Sequence, residues 1–204
     1  MPHMFYLSVY DEEDSGFCYA ASANDWNAWI GSVLPDNING QVRRYIKSNL
    51  KHIIAGLEMK AGLIIPHGEQ WAGHPLLFES YFQVMTFEFC VGSFSVCEGI
   101  GSVWHVAEND AAANRRIPRR DWQNALVAQF DPREDQGLRE KIQLISGVRD
   151  KLHQDRLGMR EHIDWHAFGF NTAFSPALEA LRCLFRMNQE RVPARTNLVV
   201  AEGD

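Results

Sequence analysis

Arg149 and His153 stand four positions apart in the run Val148-Arg149-Asp150-Lys151-Leu152-His153. Four steps along a helix return a side chain to the same face, so the two groups point the same way. Arg149 offers a permanent planar cation, and His153 offers a ring that gains or loses a proton near neutral pH. Such a pair can hold a phosphate and move a proton, which suits phosphate recognition and RNA-cleaving acid–base chemistry. The bland alternative is an edge pair that hydrogen-bonds a neighbouring helix.

A second group of cations lies upstream. Arg115, Arg116, Arg119 and Arg120 form a basic, proline-broken run, and Arg156 follows the Arg/His pair. Arginines in such a cluster can contact nucleic-acid phosphates, and Trp122 could stack on a base. The competing reading is a solvated loop whose arginines pair with Asp110 and Asp121. A metal site is the main rival chemistry. Asp150, His153, Glu161, His162, Asp164 and His166 crowd into seventeen residues, and His162-x-x-x-His166 has helical ligand spacing. His153 is the candidate third nitrogen, whereas a resemblance to the metal-binding DinB-like bundles would imply a third histidine on the second helix, which is not clearly placed, and no His-Glu-x-x-His motif occurs. The expectation is therefore no metal and no cofactor. Walker, dinucleotide-binding and serine-elbow glycine patterns do not occur.

Composition sets limits on partners. The chain has 204 residues, 46% of them hydrophobic, and a formal net charge of −6. The molecule as a whole does not attract nucleic acid, so any such binding needs a local basic patch. Cys18, Cys90, Cys97 and Cys183 are scattered without a Cys-x-x-Cys pair. Cys90 and Cys97 fall in an apolar helical pattern as buried thiols, which fits a reducing cytoplasm. No basic region followed by an apolar run marks a signal peptide. In the most apolar region, Val84 to Val106, Glu88 and Glu98 leave Phe89 to Cys97 as the longest uncharged stretch around the centre. That is short of the roughly 18–20 residues of a spanning helix, so no membrane is expected. The two glutamates read as solvent-facing residues or as partners for Arg149 or an arginine of the first long helix.

The periodicity that must position these residues is helical. Val42, Ile46, Leu50, Ile53, Leu57 and Leu63 predict a helix from about Gly40 to Ile65, stopped by Pro66-His67-Gly68. A longer helix begins near His74-Pro75, apolar on most sides, as befits the centre of a bundle. Gly92, Gly99 and Gly101 allow another helix to approach closely, with a break near Gly99 as one option. Leu138, Ile142, Ile145, Val148 and Leu152 predict a helix over about 135–155. A fourth covers about 164–190, split or restarted at Ser175-Pro176. Before these lie a short strand over Phe5–Tyr10 and a short helix with Trp26 and Trp29, capped by Ser22, Asn24 or Asp25. The fold class is all-α: an up-and-down four- to five-helix bundle with an N-terminal extension and an inserted basic loop. Its parts are a cover segment over 1–39, the bundle over 40–190 with an insert over 109–135 containing a short helix near Trp122–Phe130, and a tail over 191–204.

On Arg149-Asp150-Lys151-Leu152-His153, at the end of the third main helix, the chain resembles the HEPN (higher eukaryotes and prokaryotes nucleotide-binding) family. The resemblance extends over roughly 40–190 through helix order and the long second helix. It implies a four- or five-helix bundle and a metal-independent RNase. Arg149 would bind the scissile phosphate, Asp150 would orient its neighbours, and His153 would act as general base or acid. Active members usually have four to six residues between Arg and His. Here there are three, while Arg156 and His162 have five between them. The resemblance also implies a homodimer whose two motifs line one cleft, an RNA substrate, and a protein partner such as an antitoxin. Leu157, Met159, Trp165, Phe168 and Phe170 supply an apolar rim for that dimer. The alternatives are a catalytically silent interaction module and, behind it, a metal-binding bundle.

Overall fold

Ser22 begins the first helix, α1 (Ala23–Val33), with a reciprocal cap. Its hydroxyl accepts from the Asp25 backbone N–H at 3.3 Å, and the Asp25 carboxylate accepts from the Ser22 N–H at 2.8 Å. The computed structural model describes residues 18–19, 21–68, 79–109, 115–151, 163–193 and 196–197. The strand expected over Phe5–Tyr10 lies outside those residues. A two-residue strand, β1 (Cys18–Tyr19), pairs antiparallel with β2 (Thr196–Asn197), bringing the two ends of the described chain together.

Asn39 starts the next helix, α2 (Gly40–Gly68), its side-chain oxygen accepting from the Gln41 N–H at 2.8 Å. The helix runs a little beyond the Pro66 stop signal. Helix α3 (Glu79–Asn109) is continuous through Gly99, so no break occurs there. By length and composition α3 is apolar enough to cross a membrane, but its apolar surface is largely buried inside the bundle. Then come α4 (Arg119–Phe130), α5 (Leu138–Asp150) and α6 (Ser175–Phe185).

The fold is an all-α bundle. Leu57 faces Gly92, Leu50 faces Gly99 and Lys60 pairs with Glu88, so α2 and α3 are antiparallel. Arg149, near the end of α5, lies over Phe94, and Arg186, just past α6, bonds Gln136, just before α5. Helices α2, α3, α5 and α6 thus alternate up and down. Helix α4 runs parallel to α3, since Trp122 meets Phe94 and Gln129 meets Glu108. The segment read as an insert therefore does more than connect. Trp122, Ala125, Leu126, Val127 and Phe130 of α4 are buried against the bundle.

Gly101 makes that packing possible. A Cβ there would lie 2.5 Å from the Trp122 carbonyl oxygen and 3.1 Å from the Leu126 Cβ. Between α4 and α5 the buried Asp131 carboxylate accepts from the Gln136 N–H at 3.2 Å and the Leu138 N–H at 3.1 Å. Helix α6 is preceded by a widened turn, Phe170–Phe174, in which the Ser175 N–H reaches the Phe170 carbonyl. Pro176 donates no N–H and crowds the carbonyl four residues back, so the chain loosens just upstream of it. The helix expected over 164–190 is thus α-helical only over Ser175–Phe185, restarting at Ser175-Pro176, while Trp165–Ala167 and Phe170–Phe174 form short turns of other pitch. Helix α1 lies across α2 and α6. Trp26, Trp29 and Phe185 form one aromatic cluster, and the buried Glu58 accepts from the Trp26 Nε1–H and the Ala21 N–H, each at 3.0 Å.

Candidate functional site

Val148 is buried in the α5 core stripe, which turns the next residue, Arg149, to the edge of the helix pair. Its guanidinium carbon lies 4.9 Å from the centroid of the Phe94 ring on α3. Arg119, the first residue of α4, brings a second guanidinium to 5.7 Å from the same ring. Two like charges share one aromatic ring because the ring's negative face attracts each of them. Phe94 is itself fixed edge-on to Trp122, with ring centroids 5.4 Å apart.

Asp150 joins the two cations. Arg119 Nη1 donates to Asp150 Oδ2 at 3.0 Å and Arg119 Nη2 to Oδ1 at 2.9 Å, a parallel two-point bond. Arg149 Nη1 approaches Oδ1 at 3.4 Å, a longer and weaker contact. The Arg119 hydrogen bonds, with the charges of Arg119 and Arg149, hold the Asp150 carboxyl below its ordinary value against the opposing effect of partial burial.

Beside this clamp opens a cleft of about 570 Å³. Glu98 and Ser102 of α3, Arg115 to Arg119, Trp122 and Arg149 line it. The structure thus brings together two groups of cations that lie far apart in the sequence. Arg115, Arg116 and Arg119 come from the approach to α4 and its first residue, and Arg149 from the end of α5. Arg120 is exposed and outside the cleft lining. His153 and Arg156 lie outside the described residues, as do Leu157, Met159, Glu161 and His162.

Several sequence expectations change. Trp122 is only 1% exposed and packs on Phe94, so it is a core residue with no face open to a stacked base. Arg119 bonds Asp150 rather than Asp121, and Asp110 lies outside the described residues. Glu88 is solvent-exposed, the simpler of its two readings, and pairs there with Lys60 of α2 at 3.5 Å rather than with an arginine. Phe168 is buried within its own bundle against Phe87 and Trp165, which removes it from an intermolecular rim. His166 is exposed and bonds Glu79 at 3.1 Å. Glu79 lies fifteen residues before Phe94 on the same helix, a rise of about 22 Å, so His166 belongs to the opposite end.

The reading by residue missed Phe94 and Ser102 as parts of this place. Phe94, Glu98 and Ser102 recur at four-residue steps and share one face of α3, where a carboxylate and a hydroxyl interrupt an otherwise apolar surface. That interruption was the available signal. Searches with the chain against protein-family models, curated proteins and solved structures find no match.

Proposed function

We propose that the protein is a HEPN-like RNA-associated protein that grips RNA phosphates in the arginine cleft. The observation that carries this reading is the meeting of Arg115, Arg116 and Arg119 with Arg149 around one cavity. In a chain of net charge −6, four arginines gathered at one cleft form a local basic patch of the kind that phosphate recognition needs. Planar guanidiniums held by Phe94 and Asp150 are partly organised before a ligand arrives, which lowers the cost of binding. The proposed chemistry is metal-independent cleavage, with Arg149 on the scissile phosphate and His153 moving the proton. One histidine fills one proton-transfer role, so a homodimer supplies the second. The buried free thiols Cys90, Cys97 and Cys183 accord with a reducing cytoplasm.

One observation favours a second reading. Asp150 already occupies both ends of the Arg119 fork, as in an internal structural pair. On that reading the chain is a silent interaction module, which as one of a toxin–antitoxin pair would bind a protein.

The test is binding of single-stranded RNA over a range of salt, followed by a cleavage assay. Binding should weaken steeply as salt rises, and Arg116→Ala should lower the slope of log affinity against log salt by about one. Arg149→Lys should impair cleavage strongly because an ammonium cannot reproduce the planar fork. Cleavage that persists in His153→Ala would remove the assigned proton carrier. Absence of salt-sensitive RNA binding would leave the interaction module.

A further inference from the structure

Helix α3 presents two polar groups to the cleft. Glu98 and Ser102 line it one turn apart, on the same face as Phe94. The nearby hydroxyls of α3 behave differently. Ser93 donates to the Phe89 carbonyl at 2.8 Å and Ser95 to the Val91 carbonyl at 3.0 Å. Among the described residues, Glu98 and Ser102 have no hydrogen bond, and Glu98 has no ion pair even though four arginines line the same cavity. Arg119 and Arg149 turn to Asp150 instead.

In the open cleft water donates to the Glu98 carboxylate, and a ligand that displaces that water must bring a donor in its place. A phosphate cannot, because both groups only accept and both are negative. The ligand that satisfies the whole cleft therefore carries a phosphate for the arginines and a neutral donor close beside it for Glu98. In RNA each 3′-phosphate has such a donor, the neighbouring ribose 2′-hydroxyl, and DNA lacks it. No exposed aromatic face lines the cleft among the described residues, since Trp122 is buried. Base stacking thus contributes little, and the sugar becomes the feature to read.

We infer that Glu98, with Ser102 beside it, recognises the 2′-hydroxyl of a nucleotide flanking the scissile one, whose own 2′-hydroxyl gives its proton to His153, and so makes the cleft select RNA over DNA. This rests on the RNA-binding reading of the same cleft.

Oligouridylate and oligodeoxyuridylate of equal length are the probes. Both carry the same base, with the same N3–H donor, so the sugar hydroxyl is the one donor that differs between them. Affinities are measured by fluorescence anisotropy on the full chain at matched salt, with probe integrity checked on a gel after each titration. The wild type should prefer the ribo-oligomer. Glu98→Ala should reduce that preference roughly tenfold, the loss of one charge-assisted hydrogen bond. Deoxy-oligomer affinity should hold or rise slightly, because a negative charge has gone. Glu98→Gln, which keeps an acceptor oxygen, should retain part of the preference. Thermal melts of the variants matching wild type exclude misfolding as the cause. A wild type that binds both probes equally, or a preference unchanged in Glu98→Ala, overturns the inference and leaves the arginine cleft standing. Failure to bind either probe, or binding indifferent to Arg116→Ala and Arg149→Ala, removes the cleft reading and this inference with it.

Discussion

Asp150 is the residue on which the geometry of the cleft turns. It fixes Arg119 by two hydrogen bonds and leaves Arg149 resting on Phe94. Both partners are about 40% exposed, so the pair adds little to stability and matters chiefly for where the guanidiniums point. Its pH dependence has a definite sign. The carboxyl titrates below its ordinary value in the folded chain, so the stabilisation is complete above the ordinary aspartate range. It disappears only as pH falls through the lowered value. Asp150→Asn should therefore melt slightly below wild type at pH 7, by at most about 3 °C. The gap should persist through mildly acidic pH and close only below about pH 4. Melting curves of both proteins across that range check this. A gap that closes between pH 5 and 7 would point to a histidine rather than to Asp150.

At the scale of elements, the close approach of α4 to α3 makes the cleft. Gly101 lets the Trp122 carbonyl come within 2.5 Å of where a Cβ would stand. Gly101→Ala should push α4 outward and destabilise the protein by about 1–3 kcal/mol, read from denaturant unfolding. RNA affinity should fall in parallel, since Arg119 begins the displaced helix. An unchanged unfolding midpoint would mean that the two helices can part at no cost. The packing also explains what could be read in the sequence. The long apolar stripes of α2, α3 and α5, the Ser22 cap and the Ser175-Pro176 split were legible because local periodicity and backbone chemistry dictate them. The role of α4 was not, because its Arg115–Arg120 approach looks like a polar linker and its burial depends on Gly101, twenty-one residues from Trp122. The cations of the site were legible by type. Their meeting was not, since it follows from α4 running parallel to α3, which no local spacing encodes. Phe94 passed as one more core aromatic, which in part it is.

At the scale of the whole molecule, the core is dry enough to silence its sulfurs. Burial pushes the Cys90 and Cys97 thiols up to about 12, and Cys183 is raised as well. A thiol reacts as its thiolate, so these three should resist alkylation in the native protein at pH 8 and react after unfolding. Mass counting of labelled cysteines with and without denaturant measures this. Rapid native labelling of Cys97 would mean that α3 opens away from α6.

The ends of the described chain meet, and this has a consequence for the order in which the molecule assembles. Trp29 Nε1 donates to the Met187 carbonyl at 3.2 Å across 158 residues, and Asn188 Nδ2 donates to the Ser32 carbonyl at 2.9 Å across 156. The Arg119–Asp150 clamp spans only 31. Closing the longer loop costs more chain entropy, and its contacts repay that cost only after the intervening helices have condensed. The α4–α5 hairpin should therefore form early and α1 should dock last. Trp29→Phe, which deletes the long-range bond, should leave the folding rate nearly unchanged and raise the unfolding rate, as expected of contacts absent from the transition state. Stopped-flow fluorescence of the remaining tryptophans reads both limbs. A slowed folding limb would place α1 in the nucleus, and the two ends of the chain would then have to find each other first.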